Sequence, residues 1–329
     1  MLRTILGFSC LTLTLGLAAC GSSVDPSGSA SGTTGGATTT VGAGGSGGAG
    51  VGGGAGVTSS GAGGNGTSTS SSTTSTTSST GAGGETPAYK SYVILGDSIS
   101  DNGGQGPYFY DLLVNNDDAT YPAWQGLDFK TRFGEGLQVV HNAKGGATSN
   151  NLPAQVSNLP DSLPGPVLVT ITIGGNDMQA NIFSILQGTD GPKRDKFRAN
   201  LASALGELTK DGRFGAGVEV RVFEADIYDP SDGKGDFSKQ GCPAPLSLLP
   251  VTPTDGFFAN WNGVVDEEVP MHGVSLVTPL HDTFHGHGVG NMNDRWFAND
   301  CIHPNKKGHH ELRRMFWSAV TGEASPEQP

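Results

Sequence analysis

Between Gly21 and Thr86 the chain has no aromatic residue and only two charges, Asp25 and Glu85, while 22 of its 53 glycines fall there. Such a segment cannot bury enough apolar surface to offset the entropy of ordering it, so no packed core is expected in it. Basic residues are also scarce. The chain carries 19 Lys and Arg against 31 Asp and Glu. Setting aside Arg3, Asp25 and Glu85 leaves 18 basic and 29 acidic residues, a net −11, in 87–329. With no basic stripe in the sequence, electrostatic capture of nucleic acid is excluded as a main function. Long hydrophobic runs are missing too. The most apolar stretch, Ile5–Leu17, is shorter than the roughly 20 residues needed to span a bilayer.

What is present divides the chain into three. Arg3 followed by Ile5–Leu17 has the form of a positive n-region and a short h-region of an export signal. It closes on Leu17-Ala18-Ala19-Cys20, which resembles a bacterial lipobox, in which the cysteine is lipidated and becomes the mature N-terminus. That resemblance implies a signal peptide over 1–20, a membrane anchor through Cys20, and outer membrane or cell surface as the address, since Gly21 offers no aspartate retention signal. The alternative is an ordinary signal and a secreted, unanchored protein. Residues 21–86 read as a flexible spacer with an r.m.s. span of roughly 45 Å. Residues 87–329 are long enough for one α/β domain with a sizeable core. Nothing calls for a cofactor, and a monomer is expected.

Cysteine is rare, with four in the chain, and Cys10 leaves with the signal. Cys242 and Cys301 are the two in the domain. An exported protein meets an oxidising compartment, which makes a Cys242–Cys301 disulfide the expectation and two partly buried thiols the alternative.

Apolar, β-rich runs at 91–95, 137–141, 167–173, 218–223 and 274–280 predict five strands. Helices are expected at 108–114, at 193–210, where Phe197, Leu201, Leu205 and Leu208 share a face, and at 255–269 and 306–320. Alternation of strands and helices argues for a parallel sheet covered on both faces. In such sheets ligands bind outside the carboxyl ends of the strands. The chemically interesting residues fall there. Ser98 follows the first strand at a strand-to-helix turn, where a positive helix end favours negative charge. Asn142–Thr148 follows the second, Asn176 the third, and Asp300 and His303 precede the last helix.

A serine hydroxyl needs a base to become a nucleophile, and the base needs a carboxylate to fix its tautomer. Asp300-Cys301-Ile302-His303-Pro304 supplies both three residues apart. Acyl transfer also needs donors aimed at a tetrahedral oxygen, and the N–H groups of Ser98 and Gly146 with the Asn176 amide form a candidate set. Around these, Asp97 reads as a brace for the turn, Asp177 as a cap for the next helix, Asn142 as a partner of loop backbone, and Asp101 and Asn102 as turn residues. His281, Asp282, His285 and His287 have metal-like composition but read as an exposed loop, so no metal is expected. His309 and His310 are expected to face solvent or cap the turn. The stretch 226–261 is either a rim over the site or a packed excursion.

Four blocks occur in order: Gly96-Asp97-Ser98-Ile99-Ser100-Asp101, Asn142-Ala143-Lys144-Gly145-Gly146-Ala147-Thr148, Gly174-Gly175-Asn176-Asp177 and Asp300-Cys301-Ile302-His303-Pro304. Together they resemble the SGNH hydrolase superfamily, the GDSL-type esterases and lipases, over roughly residues 92–320. Ile99 stands where leucine is commonest, a change that leaves the chemistry untouched. The resemblance implies a flavodoxin-like three-layer α/β/α sandwich with strand order 2-1-3-4-5. It also implies Ser98 as nucleophile, His303 as base, Asp300 as its orienter, and Gly146 and Asn176 as oxyanion donors. The implied activity is carboxylic ester hydrolysis. Carbohydrate deacetylation or acyl transfer with the same residues, and a surface binding module without catalysis, are the alternatives. The substrate is then a small-molecule, lipid or carbohydrate ester.

Overall fold

The computed structural model describes residues 87–238, 241–277 and 279–327. The signal at 1–20, Cys20 and the spacer at 21–86 lie outside the described residues. Five parallel strands, β1 Ser91–Gly96, β2 Gln138–His141, β3 Val167–Thr172, β4 Val220–Ala225 and β5 Ser275–Val277, form one sheet in the order β2-β1-β3-β4-β5. Nine α-helices accompany them among the described residues: α1 Phe109–Val114, α2 Phe129–Phe133, α3 Leu152–Ser157, α4 Gly175–Ala180, α5 Ile182–Leu186, α6 Gly191–Leu208, α7 Asp255–Met271, α8 Leu280–Phe284 and α9 Lys306–Thr321. This is the expected three-layer α/β sandwich. No helix among the described residues is long and apolar enough to cross a membrane.

The layers follow from side-chain alternation. Every residue of β1 and of β3 is buried, as both faces of a central parallel strand require. Tyr92 and Ile94 point into one apolar cluster, Val93 and Leu95 into the other. The first cluster is completed by Phe109 and Leu113 of α1 and by Leu312, Phe316, Trp317 and Val320 along one face of α9. The second takes Leu152 and Val156 of α3, Phe197, Leu201 and Leu205 of α6, and Trp261, Val265 and Val269 of α7. Helix α9 begins where the Asn305 side chain accepts the N–H groups of Lys307 and Gly308, and stops at Gly322, whose φ is 70°.

Differences from the sequence reading have local causes. Strand β4 runs two residues beyond Phe223, because Glu224 continues the ladder between Ile171 and Leu276 despite its polar side chain. Strand β5 is shorter than predicted, since Leu280 opens α8 right after Pro279. Helices α2 to α5 and α8 span five or six residues each, too short for an i, i+4 pattern to repeat. His309 and His310 do not face solvent. They are buried, the first between Tyr108 and Phe109, the second between Tyr121 and Trp124. Burial, chiefly, lowers both imidazoles to about 4, so they are neutral at pH 7.

The first part of the excursion after β4 is held by buried acids, while Leu248 and Val251 further along are exposed. Asp229 accepts the N–H of Ser231 and Gly233 and the hydroxyls of Ser231 and Thr254. Asp232 accepts the N–H groups of Gly286 and Gly288, which ties the excursion to the loop after α8.

Glu224 is fully buried, with neither carboxylate oxygen hydrogen-bonded among the described residues, and burial raises it from 4.5 to about 8. Because the folded value lies above the unfolded one, ionisation of Glu224 adds no cost below pH 4.5. Its cost grows as pH rises and the unfolded chain ionises first, and levels off near pH 8. Glu224→Gln removes this titration. Its melting temperature relative to the parent is expected to rise steadily from pH 4.5 to pH 8, as thermal unfolding across that range will read.

Candidate active site

Ser98 stands directly past β1, in the 3-10 turn Ser98–Ser100. The preceding Gly96 is gripped at both backbone polar groups by the buried Gln155 amide, which accepts its N–H at 2.8 Å and donates to its carbonyl at 2.7 Å. Asp97 braces the turn as expected. Its Oδ1 accepts the Ile99 N–H at 3.0 Å and the Thr172 hydroxyl at 3.1 Å. The Ser98 carbonyl in turn accepts the N–H groups of Asp101 and Gly103. No long helix starts at Ser98: α1 begins at Phe109, and a three-residue turn has no macrodipole, so the expected helix-end field is absent.

His303 reaches this serine across 205 residues of sequence. Its Nε2 lies 2.8 Å from the Ser98 Oγ and its Nδ1 2.7 Å from the Asp300 Oδ2. The other Asp300 oxygen accepts the backbone N–H groups of Ile302 and His303, each at 3.0 Å. Burial pushes the Asp300 carboxyl up. The hydrogen bonds from the His303 ring and from these two N–H groups, with the charge of His303, outweigh it and hold the group at about 2. Asp300 is thus an anion in the working range, hydrogen-bonded to a ring whose far nitrogen accepts from a serine hydroxyl.

The loop carrying Asp300 and His303 is pinned on several sides. Cys301 sits at φ 64°, a region disfavoured for a side chain with a Cβ. It is joined by a disulfide to Cys242 in the excursion after β4, Cα to Cα 5.6 Å. The buried Tyr228 hydroxyl donates to the Ile302 carbonyl at 2.9 Å, and Arg295 donates to the Ala298 carbonyl. Gly103 packs so closely that a Cβ there would lie 2.6 Å from the His303 ring. The neutral His309 Nε2 donates to the Gly103 carbonyl at 2.8 Å, backing this contact from α9.

The remaining residues of the predicted donor set lie on the segments that follow β2 and β3, and a Cβ on the adjacent Gly145 would lie 4.0 Å from the Ser98 Cβ. Gly146 has φ 77°, with nothing within 4 Å of where a Cβ would sit, so glycine is needed there for conformation and not for space. The N–H groups of Ser98 and Gly146 have no hydrogen-bond acceptor among the described residues. Asn176 donates one of its two amide hydrogens to the Ala147 carbonyl at 2.9 Å, which leaves the second for a ligand.

Sequence reasoning missed several positioning residues. Asp101 is more than a turn residue: its Oδ2 accepts the Gly145 N–H at 2.7 Å and so holds the Gly145-Gly146 segment against the Ser98 turn. Asp177 does not cap a helix. It lies inside α4, and its two oxygens accept the N–H and hydroxyl of Ser149, bracing the second loop against the third. Asn142 does serve loop backbone, donating to the Gln155 carbonyl. No local pattern marks Gln155, Tyr228 or His309, because their partners are distant in sequence. Of the histidine-rich loop, His287 stacks on Trp296 and pairs with Asp294, whereas His281 lies beside Asp282. No group of three or more metal-holding side chains occurs among the described residues.

A parallel sheet in the order 2-1-3-4-5, with a Ser-His-Asp hydrogen-bonded chain at its carboxyl rim, has the architecture of SGNH-type hydrolases. The chain belongs to the GDSL-like lipase/acylhydrolase family, whose model matches residues 94–311, and it is a hydrolase acting on ester bonds. Among solved structures it is similar to an acetylxylan esterase from Geobacillus stearothermophilus, at 17% identity over 73% of this chain and 97% of that one, TM-score 0.45. It is also similar to an extracellular lipase from Streptomyces rimosus, at 21% identity over 70% and 99%, TM-score 0.45. A third is an α/β hydrolase from the metagenome of Lake Arreo, at 20% identity over 71% and 95%, TM-score 0.44. No curated protein matches the chain.

The disulfide closes a loop across a sequence separation of 59 and holds the residue next to Asp300. In the loop-entropy view its loss costs roughly 4 kcal/mol. Cys242→Ser is expected to lower the unfolding free energy by that order, and to lower kcat on an ester more than it raises KM. Chemical denaturation and steady-state kinetics read the two effects.

Proposed function

We propose that the chain is an exported carboxylic ester hydrolase working through a covalent acyl-enzyme on Ser98. The observation that carries this reading is the pair of hydrogen bonds at His303, 2.8 Å to Ser98 and 2.7 Å to Asp300. His303 Nε2 takes the hydroxyl proton as Ser98 Oγ attacks the ester carbonyl. Asp300, ionised above about pH 2, stabilises the imidazolium that forms. The N–H groups of Ser98 and Gly146 and the free Asn176 amide hydrogen meet the charge on the carbonyl oxygen. The imidazolium then returns its proton to the departing alcohol. Water repeats the sequence on the acyl-enzyme, with His303 first as base and then as acid.

Export and anchoring belong to the same reading. The n-region and h-region before Leu17-Ala18-Ala19-Cys20 support a lipoprotein signal, with Cys20 as the acylated residue and 21–86 as tether. The Cys242–Cys301 bond supports an oxidising compartment. The chain acts as a monomer held at the outer membrane or cell surface.

Hydrolysis of p-nitrophenyl acetate, butyrate and palmitate tests the chemistry and sizes the acyl pocket. Ser98→Ala is expected to lower turnover by on the order of 10⁴ or more, and Asn176→Ala by on the order of 10²–10³. Undiminished turnover in a folded Ser98→Ala protein would falsify the mechanism. For the anchor, growth with an alkyne-bearing fatty acid is expected to label the chain, and Cys20→Ala to abolish that label. Label persisting in the variant refutes acylation at Cys20.

A further inference from the structure

A groove of ≈ 790 Å³ runs between α1, Lys130 of α2 and the edge strand β2. Its volume is that of a ligand site. The floor is aliphatic, with Val139 of β2 open above the buried Ile94 of β1 and Leu137 just before β2, and Val114 on the α1 wall. Val139 is 38% exposed, a large apolar side chain left open on a sheet edge. The rest of the lining is polar and comes from several sides: Asp111 from α1 and Asn115 just past its end, Lys130 from α2, and His141 from the end of β2. No hydrogen bond or ion pair within the described chain uses the side chains of Asp111 or Lys130. His141 donates its Nε2 hydrogen to the Ser100 carbonyl at 2.7 Å, which turns Nδ1 into a free acceptor.

One end of this groove is the wall of the ester site. Asp101 and Asn102 line it, and Asp101 holds the Gly145 N–H through its carboxylate. A Cβ placed on Gly145 would lie 3.7 Å from that carboxylate and 4.0 Å from the Ser98 Cβ, so a single residue separates groove and nucleophile. Tyr110 fixes this end by donating its hydroxyl to Asn102 while accepting the Asn102 N–H.

We infer that this groove binds the carbohydrate chain of an acylated glycan whose ester is presented to Ser98, an inference that rests on the ester hydrolase reading. The lining chemistry selects among occupants. A fatty acyl chain would desolvate Asp101, Asp111, Asn115 and Lys130 without offering them a partner. An anionic headgroup would meet two carboxylates against one lysine. A neutral polyol supplies donors and acceptors to all of these groups while a C–H face rests on the open Val139. The groove follows the strand away from Ser98, as a chain running on from the ester would.

The test compares two substrates on one protein. For Val139→Trp, which fills the floor, and for Lys130→Ala on the wall, kcat/KM is measured on acetylated xylo-oligosaccharides and on p-nitrophenyl acetate. The ratio of oligosaccharide to p-nitrophenyl activity is expected to fall about tenfold in Val139→Trp and severalfold in Lys130→Ala. Calorimetry of the folded Ser98→Ala protein with unacetylated xylohexaose is expected to show binding that Val139→Trp weakens. Unchanged ratios, with no xylohexaose binding, overturn the inference. So does a Val139→Trp effect confined to the palmitate ester, which assigns the groove to acyl chains. Retained esterase activity in Ser98→Ala strikes the hydrolase reading instead, and the xylohexaose titration still reports on the groove by itself.

Discussion

The close approach of two strand ends sets the positions of everything at the carboxyl rim. Gly96 ends β1 beside Thr172 at the end of β3, and a Cβ on it would lie 2.1 Å from the Thr172 carbonyl oxygen. Its φ of 123° is open to glycine and little else. Because the strands meet so tightly, the Thr172 hydroxyl can reach Asp97, and one glutamine from α3 can hold both backbone groups of Gly96. The turns after β1, β2 and β3 are thereby fixed to one another, which is the preorganisation that a reacting constellation needs.

Two carboxyl groups flank the Ser98–His303 pair in opposite electrostatic settings. Asp300 lies half-exposed among N–H donors and is held at about 2. Asp97 is fully buried, and burial raises it to about 7 despite the Ile99 and Thr172 hydrogen bonds and the nearby His303. Environment, and not residue type, separates the two: one is a permanent anion aimed at the imidazole ring, the other a brace beneath the serine that changes its ionisation around neutral pH. Nearby, the neutral His309 contributes a donor without adding a second positive charge beside His303.

Much of this was legible in the sequence because it lies in short contiguous blocks. The apolar runs of β1 and β3 announce a buried parallel sheet, and each block falls just after a strand or just before the last helix. Ser98, His303 and Asp300 come together in hydrogen-bonding geometry, and Cys242 pairs with Cys301. What stayed hidden depends on contacts between residues far apart in the chain. His309 and His310 read as solvent-facing because polarity, not packing, is visible in a sequence, yet aromatic rings surround both. Asp177 and Asp101 looked like local turn chemistry, and their true partners, Ser149 and Gly145, sit on another loop. Helices of five or six residues leave no periodicity to read.

The chain enters the sheet at its interior. Lys90 leads directly into β1, which is hydrogen-bonded along its length to β2 on one side and β3 on the other, and Ser98 follows at the opposite end. A load entering the domain at Pro87 therefore runs along β1 itself. Such a load shears two rows of hydrogen bonds together instead of peeling one pair at a time. The strand that leads to Ser98 at its far end is thus held from both sides against tension from the amino-terminal side.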